Sequence, residues 1–170
     1  MDYLPNLIAA FGLKPGDVIL LQLWGENKHL PFLDAFAAEI TKTGAQPIKQ
    51  QFSRVYLKDQ FEKLSHTNKP FPDSYFRQFS GVTAVINLMA YNLITTHPDF
   101  PPDKLNIYKD FMDRLMSALE DKPAYALRLP TEEMAAEEGM EYAAFVRRLT
   151  KTYSAEPEKL QLMWGKQAKL

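Results

Sequence analysis

Apolar positions along the chain repeat with two different periods, and these separate helices from strands. Leu4, Leu7, Ile8 and Phe11 recur at i, i+3, i+4 and i+7, the period of one helix face. Gly12 follows where a helix C′ residue belongs, and Lys14-Pro15-Gly16-Asp17 reads as a turn. Val18 to Trp24 is then almost continuously apolar. A strand with one wet face would alternate, so this run predicts a central parallel strand covered on both faces. Gly25-Glu26-Asn27-Lys28 interrupts it, and Leu30, Leu33, Phe36, Ala37 and Ile40 restore the helical period up to Gly44. Ile48 to Phe52 predicts a weaker strand, whose polar content assigns it to a sheet edge. Helix, strand, helix and strand in quick succession have the rhythm of a βαβ unit.

Further along, Val55 to Leu64 reads as helical, and Pro70 and Pro72 mark a loop. Val82 to Leu88 is a second buried-strand pattern, and the proline-rich residues 97–102 form a loop. Tyr108, Phe111, Met112, Leu115 and Leu119 line one helix face. Tyr125 to Leu129 predicts a fourth strand. Thr131 is placed to N-cap a short acidic helix through Glu138, ended by Gly139. Tyr142, Phe145, Val146, Leu149 and Tyr153 mark another helix, and Leu160, Met163 and Trp164 a last one. The expected architecture is one α/β domain over residues 1–170. It is an open three-layer arrangement with a mainly parallel sheet of four or five strands sandwiched between helices.

Composition narrows the function classes. Lys and Arg number 20 against 21 acids, a net charge of −1, which removes the electrostatic footprint of a dedicated nucleic-acid binder. The chain has no cysteine, so disulfides and thiolate metal sites are excluded. No apolar run reaches the roughly 18–20 residues of a membrane span, and the N-terminus lacks the pattern of a signal peptide. A cytoplasmic protein without membrane partners is expected.

Chemical motifs are sparse. No glycine-rich phosphate loop and no His-Glu-x-x-His is present. The histidines, His29, His66 and His97, each fall at an expected loop, and their spacing requires no metal site. Glu132, Glu133, Glu137 and Glu138 read as a solvated helix start. The richest stretch is Trp24-Gly25-Glu26-Asn27-Lys28-His29, which leaves the most central strand. In an open parallel sheet, ligands bind beyond the carboxyl ends of strands at a topological switch point. Trp24, Glu26, Asn27, Lys28 and His29 are therefore the ligand-crevice candidates. Leu160, Met163 and Trp164 form a narrow apolar stripe that is the candidate docking surface. No catalytic or metal-binding residue is assigned.

Three stretches, in order, resemble the N-terminal domain of aminopeptidase T/S-type metallo-aminopeptidases, the group that includes thermophilic aminopeptidase, aminopeptidase S and PepS. The opening helix followed by Leu13-Lys14-Pro15-Gly16-Asp17-Val18-Ile19-Leu20-Leu21 is similar to that family's entry into its first strand. Thr43-Gly44-Ala45-Gln46-Pro47-Ile48 is similar to its step into the second. Arg128-Leu129-Pro130-Thr131-Glu132-Glu133-Met134-Ala135-Ala136-Glu137-Glu138-Gly139-Met140, with Glu141-Tyr142, Phe145 and Trp164, resembles a third segment. The resemblance implies a non-catalytic domain contributing architecture, a wall of the substrate cavity and dimer contacts. It implies no cofactor in this chain. The divalent metal pair (zinc, cobalt or manganese) would sit in a separate C-terminal catalytic domain beginning near Leu170. Implied partners are that domain or a second copy of the chain, and peptide substrates of the whole enzyme. The alternative is an independent α/β module that binds a small ligand or a protein without peptidase activity.

Overall fold

The computed structural model describes residues 1–64, 71–92 and 96–167, with side chains up to 163 in the last helix. The chain runs α1 (Leu4–Ala10), β1 (Val18–Trp24), a 3-10 turn (Asn27–His29) leading into α2 (Leu30–Lys42), β2 (Gln46–Phe52) and α3 (Arg54–Glu62). It continues through α4 (Asp73–Arg77), β3 (Ala84–Met89), α5 (Leu105–Ser117), β4 (Ala124–Arg128), α6 (Glu132–Glu137), α7 (Tyr142–Tyr153) and α8 (Pro157–Gln167). Among the described residues the sheet has four strands in the order β2-β1-β3-β4, and every neighbouring pair is parallel.

The register assigns the two faces. Leu21, Ile86 and Tyr125 are in-register partners, so they share a face, and Tyr125 meets Phe11, just after α1, at 4.6 Å between ring centroids. On the opposite face, Phe52 pairs with Trp24 in register and packs edge-on against Phe111 of α5. Phe111 in turn joins Phe61, Phe71 and Tyr108 in an aromatic cluster. The sheet is thus sandwiched, as the unbroken apolar runs of β1 and β3 require. Leu20 is 0% exposed and Val85 1%. β2 is an outer strand with a largely exposed face, as its polar residues imply.

Local signals explain the boundaries. Gly44 adopts φ +85°, and a Cβ there would come within 3.0 Å of Pro15, so α2 closes directly onto the Lys14-Pro15-Gly16-Asp17 turn. Ser53 caps α3 by accepting from the Tyr56 amide, and Thr131 caps α6 by accepting from that of Met134. β3 begins at Ala84 rather than Val82, because the Val82 amide closes a 3-10 turn on Phe79. The short helix α4 carries no amphipathic period long enough to read. The loop expected at Pro70 lies outside the described residues.

A buried, unpaired carboxylate costs several kcal/mol, on the order of a domain's whole stability of about 5–15 kcal/mol. Leu20→Asp and Val85→Asp are each expected to abolish cooperative unfolding and leave the chain insoluble. A soluble variant with an unchanged melting temperature would contradict the strand placement.

Candidate functional site

The order β2-β1-β3-β4 means that the chain steps from β1 to β2 on one side and then crosses to β3 on the other. The switch point lies between β1 and β3, and the loops beyond their carboxyl ends converge there. The β1 loop opens with Gly25. A Cβ at this position would lie 2.8 Å from His29 Nδ1 and 3.0 Å from the Ala90 Cβ, so only glycine lets the β1 and β3 loops close on each other.

Glu26 is the hub of this end of the sheet. One carboxylate oxygen accepts from the backbone N–H of Arg54 (3.0 Å) and from the Tyr91 hydroxyl (3.0 Å). The other accepts from the Ser53 hydroxyl. Three loops, following β1, β2 and β3, are therefore tied to one side chain. Burial pushes the Tyr91 phenol far above its usual range, so it stays protonated and donates to Glu26. The Arg54 guanidinium lies 3.8 Å over the Tyr91 ring, donates to Glu137 at 3.0 Å and to the Asn92 carbonyl at 2.8 Å. Glu137 also accepts from the Asn92 amide at 2.6 Å, which brings α6 into the same network.

His29 is buried beneath the turn, where its Nδ1 accepts from the Glu26 backbone N–H at 3.1 Å. An accepting Nδ1 places the proton of the neutral ring on Nε2, which faces Glu133 at 3.6 Å. Burial lowers the His29 pKa, and the nearby Glu133 carboxylate offsets this only in part. Burial acts to raise Glu133, but its hydrogen bond from Lys28 and the adjacent positive charge outweigh that and hold it below the usual carboxylate range. The same bond raises the exposed Lys28.

The candidates from the sequence divide as follows. Glu26, Asn27, Lys28 and His29 do gather at the switch point. With Gln51, Ser53 and Tyr56 nearby, Glu26, Asn27 and Lys28 border an open groove of about 780 Å³. Trp24 does not face that groove. It is buried, stacks on Phe52 at 4.5 Å and donates its indole N–H to Asn87 Oδ1 at 2.9 Å. His29 is buried rather than surface-exposed, because Gly25 allows the turn to fold over it. In the acidic run, Glu133 and Glu137 are ion-paired to the β1 and β2 loops rather than merely solvated. Ser53, Arg54 and Tyr91 complete the site, and none was singled out from sequence. Of the proposed stripe, Leu160 is 1% exposed within the core while Met163 is 43% exposed, and the Trp164 side chain lies outside the described residues.

Chemically, the arrangement holds a carboxylate whose two oxygens are occupied by this chain's own donors. His29 Nδ1 accepts from the Glu26 backbone N–H and its Nε2 faces Glu133, while His97 Nδ1 lies 3.9 Å from the Asp99 carboxylate. His66 is outside the described residues. Among the described residues, no group of three or more His, Cys, Asp or Glu is placed to hold a metal ion. No described helix is long and apolar enough to cross a membrane.

A parallel sheet with helices on both faces and a reversal between β1 and β3 defines an open, doubly wound α/β domain. The same fold occurs in wild-type AmpT from Thermus thermophilus. The likeness has a TM-score of 0.63 and 12% sequence identity, and it covers 90% of this chain and 43% of that one. The chain therefore spans less than half the length of the AmpT chain. No family model and no curated protein sequence matches.

Removing the Glu26 carboxylate takes the acceptor from the Ser53 hydroxyl and leaves the Arg54 amide only the Tyr91 oxygen, and the Tyr91 hydroxyl only the Phe52 carbonyl at 3.3 Å. At about 1–3 kcal/mol for a stranded buried group, Glu26→Ala is expected to destabilise the domain by about 2 kcal/mol in a urea titration. Lys28→Ala, which removes only an exposed ion pair, leaves the midpoint nearly unchanged. Equal effects of the two substitutions would refute the hub role of Glu26.

His29 also makes stability depend on pH. Its folded pKa lies below the ordinary 6.5, so between those two values the unfolded chain binds more protons than the folded one. Stability is expected to fall as pH drops through 6.5 and to level off below the folded pKa. His29→Gln keeps an acceptor for the Glu26 amide and should flatten this part of the profile. A slope unaffected by His29→Gln would assign the dependence to other groups.

Proposed function

We propose that this chain corresponds to the N-terminal, non-catalytic domain of a metal-dependent aminopeptidase that releases N-terminal amino acids from peptides. On this reading it contributes architecture, a wall of the substrate cavity and dimer contacts. The observation that carries the proposal is the asymmetry of the match with AmpT, a thermophilic aminopeptidase: nearly all of this chain corresponds to less than half of that one. The positions of the family-like sequence stretches add support. The Lys14-Pro15-Gly16-Asp17 turn and Gly44, from two separate stretches, meet in space, with the Gly16 amide donating to the Gly44 carbonyl at 3.1 Å. Thr131 of the third stretch caps α6 and donates to the Ala90 carbonyl at 2.6 Å, fixing that segment to β3.

The zinc, cobalt or manganese pair of such an enzyme needs several protein ligands around each ion. On this reading the metal pair belongs to a separate C-terminal catalytic domain, and no catalytic step is assigned to this chain. That domain or a second copy of this chain is the proposed partner. Of the docking-surface candidates, Met163 of α8 is exposed and belongs to the proposed surface, whereas the buried Leu160 does not.

The test is direct. The purified 170-residue chain, supplied with zinc, cobalt or manganese, is expected to release no leucine from leucine p-nitroanilide above the metal-only blank. Metal-dependent release that disappears on mutating a residue of this chain would overturn the assignment.

A further inference from the structure

The sheet ends on β2 at one side and on β4 at the other, and the two edges differ in what they offer. Along β2 the Gln46 amide donates to Asp17 and the Phe52 carbonyl accepts from Gly25, so even-numbered residues bond toward β1. Pro47, Lys49 and Gln51 therefore turn their backbone groups outward. Pro47 has no N–H to offer and Lys49 carries a charge, two of the devices by which edge strands are kept from pairing. Along β4 the Pro123 carbonyl accepts from Val85 and the Leu129 amide donates to Met89, so odd-numbered residues bond toward β3. Ala124, Ala126 and Arg128 turn outward. The Arg128 carbonyl is already met by the Tyr153 hydroxyl at 3.0 Å. Ala124 and Ala126 are exposed, and their N–H and C=O groups meet no partner among the described residues.

No proline, lysine or bulge blunts this stretch, since Ala124-Tyr125-Ala126-Leu127 pairs residue for residue with Val85 to Leu88. Its open groups are a donor and an acceptor at Ala124 and again at Ala126. An antiparallel strand that sets an equivalent residue 126 opposite Ala124, and 124 opposite Ala126, meets all of them. The same edge on a second copy is such a strand, so the edge is its own complement about a twofold axis. Tyr125 then stands opposite its counterpart at the axis, and the small alanine side chains on the α5 side leave room for those of the other copy. Charge permits the approach. Lys122 pairs with Asp121 at one end of β4 and Arg128 with Glu138 at the other, so bringing opposite ends together joins no net charge.

We infer that β4 is an association edge at which two copies of this chain join antiparallel, Ala124 of each opposite Ala126 of the other, to make one continuous sheet across a twofold axis. The contact is small beside stable interfaces, so the dimer is reversible and follows mass action. The inference gives the second copy considered above a surface at the sheet edge rather than on α8. It rests on the strand pattern alone and stands whether or not the chain is joined to a peptidase.

The experiment follows the full 170-residue chain by sedimentation equilibrium over about a hundredfold range of concentration, with amide exchange read by NMR at both extremes. A monomer–dimer equilibrium is expected. The Ala124 and Ala126 amides should exchange more slowly in the concentrated sample, while those of Lys49 and Gln51, on the other edge, should not. Ala126→Pro removes an outward donor and no bond to β3, so it is expected to keep the fold and weaken the dimer about tenfold or more. Ala126→Ser keeps the donor and a small side chain and should leave the dimer as it was. If the proline variant does not fold, Ala126→Lys, which sets like charges on both sides of the axis, is expected to give the same loss. A monomer at every concentration, Ala124 and Ala126 amides that exchange alike in both samples, or a dimer unmoved by these proline and lysine variants would each overturn the inference. So would a dimer abolished by Met163→Glu and indifferent to position 126, which would place the contact on α8. Peptidase assays, positive or negative, leave these readouts unchanged.

Discussion

β1 has no polar face to present to water: Ile19, Leu21 and Leu23 face one layer of helices and Leu20 the other, and all are buried. A strand of this kind stays in a monomeric sheet only when helices cover both sides, and parallel pairing supplies them, because each crossover carries one. The position of β1 beside β2 and β3, the placement of α1 and α2 on one side and α5 on the other, and the location of the switch point all follow from this burial. The aromatic cluster around Phe111 is the counterpart on the second face, where large rings fill the space between α5, α3 and the sheet.

Where the apolar run ends, the chain emerges into loops whose backbone groups need partners. Glu26 meets that need with an acceptor-only carboxylate reaching the Ser53, Arg54 and Tyr91 donors at once. The place at which doubly wound domains ordinarily receive a ligand is thus occupied to a large extent by the chain's own side chains.

The fold was legible wherever one residue's neighbours along the chain decide its environment. The unbroken runs of β1 and β3 announced two-sided burial, the polar residues of β2 announced an edge, and Thr131 and Gly139 bracketed α6. The site was legible only in its first half. Glu26 and His29 stand out beside the end of β1, but Ser53, Arg54 and Tyr91 join them only because β2 and β3 flank β1, and strand order is not written in local periodicity. The acidic run did hold a usable signal: Glu133 and Glu137, four apart, lie on one face of α6 and reach Lys28 and Arg54 respectively. Trp24 was misplaced because its neighbours in sequence are polar, whereas the alternation of a strand turns its ring back over Phe52.

The Glu26 hub joins residues far apart in the chain: 26 with 53 and 54, 26 with 91, and, through Arg54, 54 with 137. Such contacts become available only after the long intervening segments have been placed, since loop closure must come first. The hub therefore assembles late, once β1, β2 and β3 already lie side by side. In the finished domain the Arg54 amide is bonded to Glu26 and to the Tyr91 hydroxyl at once. Its hydrogen can exchange with solvent only when three strand ends part together, which makes this one amide a reporter of the opening of the whole sheet rather than of local fraying.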